Sequence, residues 1–160
     1  MQPADIFSYT PFDLPSTITQ STGTVTLAYE GDQRRIRKTA PTAETLYFGD
    51  LYEQVTNVAL ASTAQTYYVH SPERDVAVVT QGGAMPGTVY VHVDHLGSVD
   101  ALTNASGAVV ERRSYDPFGQ RRNPAWGQPT PASFPASTTM GFTGQESDDE
   151  LGLVNFKGRM

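Results

Sequence analysis

A short segment near the middle of the chain contains the residue types of a metal site and of a hydrolytic triad. His92, Asp94 and His95 could supply two imidazoles and a carboxylate to zinc or iron. In a strand, His92 and Asp94 share a face while His95 points to the other, so the three converge only if the chain turns there. Asp94, His95 and Ser98 also have triad chemistry, but no Gly-x-Ser-x-Gly elbow and no evident oxyanion hole accompany them.

Two charged clusters elsewhere could also bind ligands. Asp148, Asp149 and Glu150 could ligate calcium, but they lack the spaced acidic pattern of a preorganised loop, which favours a solvated acidic turn. Residues 34–38 (RRIRK) could contact phosphates. Strand alternation would instead place Arg35 and Arg37 on one face, where we expect them to pair with carboxylates or tyrosine rings of neighbouring strands.

The elements around these residues are predicted to be β-strands. Short segments rich in Val, Thr and Tyr alternate apolar with polar positions and are bounded by Gly, Pro, Asp or Asn. These segments are 24–29, 45–48, 65–70, 75–80 and 88–93, and residues 151–156 near the end are predicted to form one more strand. Breaks at 30–32, 48–50, 81–83 and 104–107 have the composition of hairpin turns that need positive φ. We therefore predict an all-β, antiparallel sheet with almost no helix.

The tyrosines indicate a repeat. Tyr9, Tyr29, Tyr47, Tyr67, Tyr90 and Tyr115 are separated by 20, 18, 20, 23 and 25 residues, the length of one hairpin with its connections. The alternative is chance, because any all-β domain spaces its strands regularly. Between 122 and 140 the pattern stops, and Pro124, Pro129, Pro131 and Pro135 predict a loop or linker with Trp126 and Phe134 as anchors.

Composition excludes several classes of protein. The 160 residues correspond to roughly one domain. There is no cysteine, which excludes disulfides, thiolate metal sites and cysteine nucleophiles. A net charge of −6, with basic residues in short pairs, argues against nucleic-acid binding. We expect no membrane span and no signal peptide, since no apolar run approaches ~18 residues and the N-terminus lacks a basic and an apolar region.

Ordered motifs along the chain resemble the Rhs/YD-repeat family, and the resemblance covers essentially all of the sequence. Residues 90–99 (YVHVDHLGSV), 102–104, 107–111 and 114–119 (SYDPFG) look like the opening of the Rhs-associated core. Residues 141–146 (GFTGQE), 149–156 (DELGLVNF) and 158–159 are similar to its continuation, and 9–15 and 29–38 resemble YD repeats. The motif residues expected to have structural roles are Asp94, His95, Leu96, Gly97, Ser98, Tyr115, Asp116, Pro117, Phe118, Gly119, Gly141, Phe142 and Gly144.

The resemblance implies a fold: a strip of antiparallel β-hairpin repeats that forms part of a spiralling β-shell, the YD-repeat barrel. It divides the chain into YD-repeat-like hairpins (1–87), the start of the Rhs-associated core (88–122), a Pro-rich linker or loop (123–140) and a truncated continuation of the core (141–160). It assigns the 92–98 string to a structural hairpin, and the turn at 115–119 should lock one hairpin onto the next, with both its aromatic rings packed against the sheet.

The resemblance also implies a function: a non-enzymatic structural piece of a polymorphic toxin whose shell encapsulates a C-terminal effector. We expect no catalytic residue, metal or cofactor. The expected partners are the rest of the Rhs shell, the enclosed toxin domain and a secretion-apparatus or surface partner, within a larger bacterial protein that is secreted or at the cell surface. Asp100 stands where many members have arginine, and the sequence reaches Met160 before the family's self-cleavage region.

A second hypothesis belongs to another class: an adhesion module, as in animal relatives with a similar barrel. Exposed aromatic side chains such as Tyr67, Tyr68 and Trp126 would then bind a carbohydrate or a partner protein. Under the shell hypothesis the same side chains would be buried. A hydrolase or metalloenzyme around 92–98 is the least favoured hypothesis.

Overall fold

The chain folds almost entirely into β-strands in a computed structural model that describes residues 5–125, 127–129 and 137–157. The strands are β1 (Ile6–Tyr9), β2 (Pro15–Gln20), β3 (Gly23–Tyr29), β4 (Arg35–Thr39), β5 (Ala43–Phe48), β6 (Tyr52–Asn57), β7 (Ser62–His70), β8 (Asp75–Gly82), β9 (Gly87–Val93), β10 (Val99–Thr103), β11 (Val109–Arg112), β12 (Ser114–Tyr115), β13 (Arg121–Arg122), β14 (Glu146–Asp148) and β15 (Leu153–Asn155). The helical structure of the described residues is one 3₁₀ turn, Phe142–Gly144.

The first eleven strands form one antiparallel sheet in which each strand pairs with its neighbours in the sequence. Two small two-stranded sheets follow, β12 with β13 and β14 with β15. Each sheet connection is therefore a hairpin, which antiparallel neighbours can make with a short turn. The prediction of an all-β, antiparallel strip of hairpins is confirmed.

The predicted segments between 24 and 93 all lie within observed strands. The last predicted strand, 151–156, is wrong at its start, because Leu151 and Gly152 belong to the turn between β14 and β15. Gly152 adopts φ +65° there, and the Leu151 amide donates to the Asp148 carbonyl at 2.9 Å. Asp148 is also only 2% exposed, so the expected solvated acidic turn does not include it.

The tyrosine spacing matches the hairpin period over most of the sheet. Tyr9, Tyr29, Tyr47, Tyr67 and Tyr90 lie on β1, β3, β5, β7 and β9, one on every second strand. Tyr115 breaks this alternation, since it lies on β12 in the first small sheet. The spacing of about twenty residues thus corresponds to one hairpin per tyrosine up to β9.

The described residues fall into two compact units. The first comprises 5–67, 80–86 and 157, and its buried apolar side chains are Leu14, Ile18, Val25 and Leu27. In this unit the Arg35 guanidinium carbon lies 5.0 Å from the centroid of the Tyr47 ring, so an arginine of the basic run does pair with a tyrosine face.

The second unit comprises 68–79 and the described residues from 87 to 156. Its core consists of Val78, Val91, Val99 and Leu102, with Tyr68, Val89, Val93 and Met140 packed against them. The Tyr68 hydroxyl lies 3.2 Å from Thr139 Oγ1. Tyr68 is therefore not the exposed platform that the adhesion hypothesis expected.

The predicted linker 123–140 is only partly covered by the structure, and both expected anchors, Trp126 and Phe134, lie outside the described residues. In the described part, the Asn123 side-chain amide donates to the Pro129 carbonyl at 2.9 Å, and Met140 forms an isolated bridge with Glu146. Within the described ranges, helices long and apolar enough to cross a membrane are absent.

Candidate functional site

Asp94 begins a tight five-residue turn between β9 and β10. Its Oδ1 atom accepts hydrogen bonds from the backbone amides of Leu96 (2.8 Å) and Ser98 (2.9 Å). The backbone closes the turn, because the Asp94 amide donates to the Ser98 carbonyl at 2.9 Å and the Gly97 amide to the Asp94 carbonyl at 3.1 Å. Gly97 adopts φ +83°, which other residues reach only at a cost. One carboxylate oxygen is thus used to hold the turn.

The same turn occurs twice more in the second unit. Asn104 Oδ1 accepts from the amides of Ser106 and Ala108, each at 3.0 Å. Asp116 Oδ1 accepts from the amides of Phe118 (2.8 Å) and Gln120 (2.9 Å). In all three turns the first residue accepts two backbone donors through its side chain, as Asp and Asn do in turns generally.

Two turns of the first unit keep this backbone with different side chains. At Thr10–Leu14 and Glu30–Arg34, the first amide donates to the fifth carbonyl and the fourth amide to the first carbonyl. The fourth residues, Asp13 and Gln33, adopt φ +63° and +68° without being glycine. This five-residue loop therefore recurs along the chain, as a turn followed by a residue in the left-handed conformation.

The hydrogen bonds around residues 92–98 limit the metal-binding and hydrolytic roles that the sequence suggested for them. Ser98 is 1% exposed, and its hydroxyl accepts a hydrogen bond from the Thr143 amide at 3.1 Å, so it is not presented to a substrate. His92 Nε2 lies 2.9 Å from Thr103 Oγ1 on the adjacent strand. The described parts of the chain contain no group of three His, Asp or Glu side chains placed to hold a metal ion.

The structure brings the three sequence motifs together. The Gly141 carbonyl accepts from the Val99 amide at 3.0 Å, which fixes the 141–144 segment beside the Asp94 turn, and the Ser98–Thr143 bond adds to it. On the other side, the Phe142 ring lies 5.8 Å from the Tyr115 ring, centroid to centroid. A Cβ atom at Gly119 would lie 2.7 Å from Phe142 Cδ1, so a larger residue does not fit there without a shift. We call this arrangement of 94–98, 115–119 and 141–144 the motif junction.

A buried ionic network lies in the same unit. Arg113 Nε donates to Glu111 Oε1 at 2.6 Å, and their side chains are 1% and 2% exposed. The Arg113 guanidinium also donates to the Thr138 carbonyl at 2.9 Å and to the Met140 carbonyl. Arg121 Nη2 contacts the same Glu111 oxygen at 2.8 Å. Because every charge here has a partner and further hydrogen bonds, the network avoids the cost of an isolated buried ion.

The network and the junction are connected through Tyr115. Burial raises the pKa of the Tyr115 phenol, while the positive charge of Arg113 acts in the opposite direction. The phenol oxygen is buried and has no hydrogen-bond partner among the described residues. A Cβ atom at Gly141 would lie 2.6 Å from Ser147 Oγ and 3.5 Å from this phenol oxygen, so a larger residue there requires the Ser147 side chain to shift.

A cleft of about 520 Å³ opens beside the junction and is lined by parts of two of the three turns. Its walls include Leu96, Pro117 and Phe142 together with Asp100, Arg113 and Arg122. Leu96 and Phe118 are at turn tips and are 58% and 88% exposed. The expectation that both aromatic rings of 115–119 pack against the sheet is wrong for Phe118, because the third residue of the turn points away from the strands. The Tyr115 ring packs against Phe142.

Sequence reasoning did not single out the buried network. Glu111, Arg113 and Arg121 look like ordinary surface charges in the sequence, since such residues are rarely buried. The one sequence feature that pointed to an ion pair was the placement of opposite charges two residues apart, at 111 and 113. That spacing alone does not indicate burial. The Asp100 carbonyl accepts a hydrogen bond from the Arg113 amide at 2.8 Å.

Comparison with solved structures identifies the fold. A crystal structure of TcdB2-TccC3-Cdc42 aligns with 95% of this chain at a TM-score of 0.74 and 16% sequence identity. A crystal structure of TcdB2-TccC3 aligns with 94% at a TM-score of 0.72 and 17% identity. The chain has the fold of part of TcdB2-TccC3.

A Tc holotoxin pore from Photorhabdus luminescens matches as well, over 94% of this chain with a TM-score of 0.70 and 16% identity. This chain spans only 8% of the length of each of these matched chains. No protein-family model and no curated protein matches the sequence.

Proposed function

We propose that this chain is a non-enzymatic wall segment of an Rhs-type shell that encapsulates a C-terminal effector. The observation that carries the proposal is the sheet itself: eleven strands paired strictly in sequence order, with the fold of a short stretch of TcdB2-TccC3. Such a sheet can be extended hairpin by hairpin into a long wall. One of the matched structures is TcdB2-TccC3 without its hypervariable C-terminal region, which supports a shell with a replaceable C-terminal part.

The motif junction supports a structural role for the Rhs-type motifs. One oxygen of each of its carboxylates and its serine hydroxyl are used in backbone hydrogen bonds, and its glycines make close approaches possible. A general base or nucleophile would need free lone pairs aimed at open space. The junction and the network beside it hold two hairpin turns and the 137–149 segment in one position, as a rigid wall requires.

The proposal places the chain in a larger bacterial protein that is secreted or at the cell surface. Its partners are the rest of the Rhs shell, the enclosed toxin domain and a secretion-apparatus or surface component. The net charge of the chain, −6, would favour retention of a basic effector. Effector release that does not depend on salt concentration would contradict this role of charge.

The test is the size of the native product and the protection of its cargo. An antibody against residues 88–122 is used to detect the product in its source cells, and the purified native particle is treated with protease before and after mild urea. We expect a product far above 17.4 kDa and a C-terminal fragment that resists protease until the shell is opened. A product near 17.4 kDa, or a C-terminal fragment digested equally fast in the native particle, would contradict the proposal.

A further inference from the structure

Three aromatic side chains form a row on one face of the sheet in the first unit. Phe48, Tyr52 and Tyr67 are directly opposite one another on β5, β6 and β7. The ring centroids of Phe48 and Tyr52 are 5.2 Å apart, and those of Tyr52 and Tyr67 are 4.9 Å apart. Phe48 is 57% exposed and Tyr67 39% exposed, so the row faces solvent. We call these three residues the aromatic row.

A second row lies two residues along the same strands. Leu46, Gln54 and Gln65 pair in register, and side chains two residues apart on a strand share a face. The Tyr52 hydroxyl donates to Gln54 Oε1 at 3.3 Å, which confirms that the two rows touch. We call Leu46, Gln54 and Gln65 the amide row. Its two glutamines place carboxamide donors and acceptors beside the aromatic rings.

The opposite face of the same strands is different. Tyr47, Glu53 and Thr66 occupy the alternate positions, and Glu53 and Thr66 are each only 6% exposed. The alternation separates a more buried face from the exposed face that carries the aromatic row. Burial in the sheet therefore does not account for the exposed aromatic row, because its rings gain little from being there beyond contact with each other.

We propose that the aromatic and amide rows bind an unbranched neutral polysaccharide. The ring faces would contact the apolar C–H surfaces of pyranose units, and the carboxamides would exchange hydrogen bonds with sugar hydroxyls, the usual division between apolar lining and a few orienting polar groups. The six side chains of the two rows are uncharged, which suits a neutral ligand. The exposed Arg37, which pairs with Leu46 on β4, flanks the end of the second row. The ring spacing of about 5 Å, set by the distance between strands, repeats across the sheet and favours an extended ligand.

A protein partner fits this surface less well. An apolar protein surface laid on the aromatic row would also cover the amide row and leave buried carboxamides without partners, which is unfavourable. Sugar hydroxyls satisfy these groups wherever they lie along the row. The shell hypothesis expected Tyr67 to be buried, whereas it is 39% exposed. This inference therefore does not rest on the proposed shell function, and the antibody and protease experiments do not test it.

The test is native gel electrophoresis of the full chain in gels containing hydroxyethyl cellulose, galactomannan or, as an anionic comparison, heparin. We expect one of the two neutral polymers to retard the chain and heparin not to. Tyr67→Ala and Phe48→Ala should each weaken the binding about threefold to tenfold, the loss expected for one aromatic contact. Tyr90→Ala, a tyrosine of similar exposure (43%) on β9, is the matched control and should leave it unchanged.

Two further variants keep the proposal testable if an aromatic substitution unfolds the sheet, which the midpoint of urea unfolding would reveal. Gln54→Ala and Gln65→Ala remove amide contacts and leave the ring contacts in place, and each should reduce retardation. Absence of retardation in both neutral polymers would overturn the proposal. So would retardation by heparin alone, or retardation that persists in well-folded Tyr67→Ala and Gln65→Ala.

Discussion

Replacement of Arg113 by methionine should destabilise the chain strongly, because methionine preserves much of the side-chain length but none of its five donors. Arg113 is buried, and its removal takes one of the two arginines from the Glu111 carboxylate and leaves two backbone carbonyls without this donor. Breaking a buried ion pair by removing one partner costs about 3–5 kcal/mol. Since Arg121 still contacts Glu111, we place the expected loss near the lower value, about 3 kcal/mol.

The assay is urea unfolding of the purified chain, followed by far-UV circular dichroism, with the free energy of unfolding compared between variants. Arg112→Met is the matched control: the neighbouring arginine is exposed on β11, and its replacement should cost no more than about 0.5 kcal/mol. Arg113→Lys keeps the charge but loses the fork that reaches both carbonyls, so its loss should fall between the two. Equal losses for Arg112→Met and Arg113→Met would refute the assignment of the network as a stabilising centre.

Three further predictions concern the motif junction, each measured by urea unfolding. Gly119→Ala should cost about 2–3 kcal/mol more than Gly107→Ala, because both glycines have positive φ but only Gly119 would place a Cβ against Phe142; equal costs would show that the close approach is unimportant. Asp94→Ala should cost about 1–2 kcal/mol and Asp94→Asn much less, since Asn104 makes the same turn. Tyr115→Phe should be neutral or stabilising at pH 7, as it removes an unpartnered hydroxyl. Because burial raises the Tyr115 pKa, the contribution of the neutral phenol to the free energy of unfolding is fully present below pH ~10 and is lost as the pH rises toward the pKa in the folded state. If the Tyr115→Phe variant lost as much free energy of unfolding over the same pH range as the wild type, this explanation would be contradicted.

The strands were predictable where the sequence alternates clearly. The segments 88–93 and 75–80 have β-branched residues at nearly every second position and lie within β9 and β8. β6 was not predicted, because Tyr52–Asn57 contains only one aliphatic residue and its buried position is a glutamate. Its place in the sheet comes from pairing on both sides, where β5 and β7 supply every backbone partner. Tertiary pairing therefore overrides a weak local preference.

The turns were predictable in part. Gly107 lies in a break that was predicted to need positive φ and has it, as does Gly119. Their shared geometry was not evident, since the same loop is also built with Asp13 and Gln33 at the left-handed position. Neither residue type specifies that conformation in the sequence. The loop is imposed there by the pairing of the strands on either side, which fixes the turn length.

The junction could not be predicted, because its contacts join residues far apart in the chain. The Ser98–Thr143 bond spans 45 residues, and the bond from Arg113 to the Met140 carbonyl spans 27, whereas each hairpin of the large sheet closes over a few residues. Local pairing lowers the entropy cost of forming the sheet, and the distant contacts add to stability only once the hairpins are in place. The sheet should therefore be able to form without the junction, while the 137–149 segment depends on Arg113 and Glu111 for its position. On this reasoning Arg113→Met should increase hydrogen exchange first at 137–149 and β12, and leave β2 to β6 protected until global unfolding.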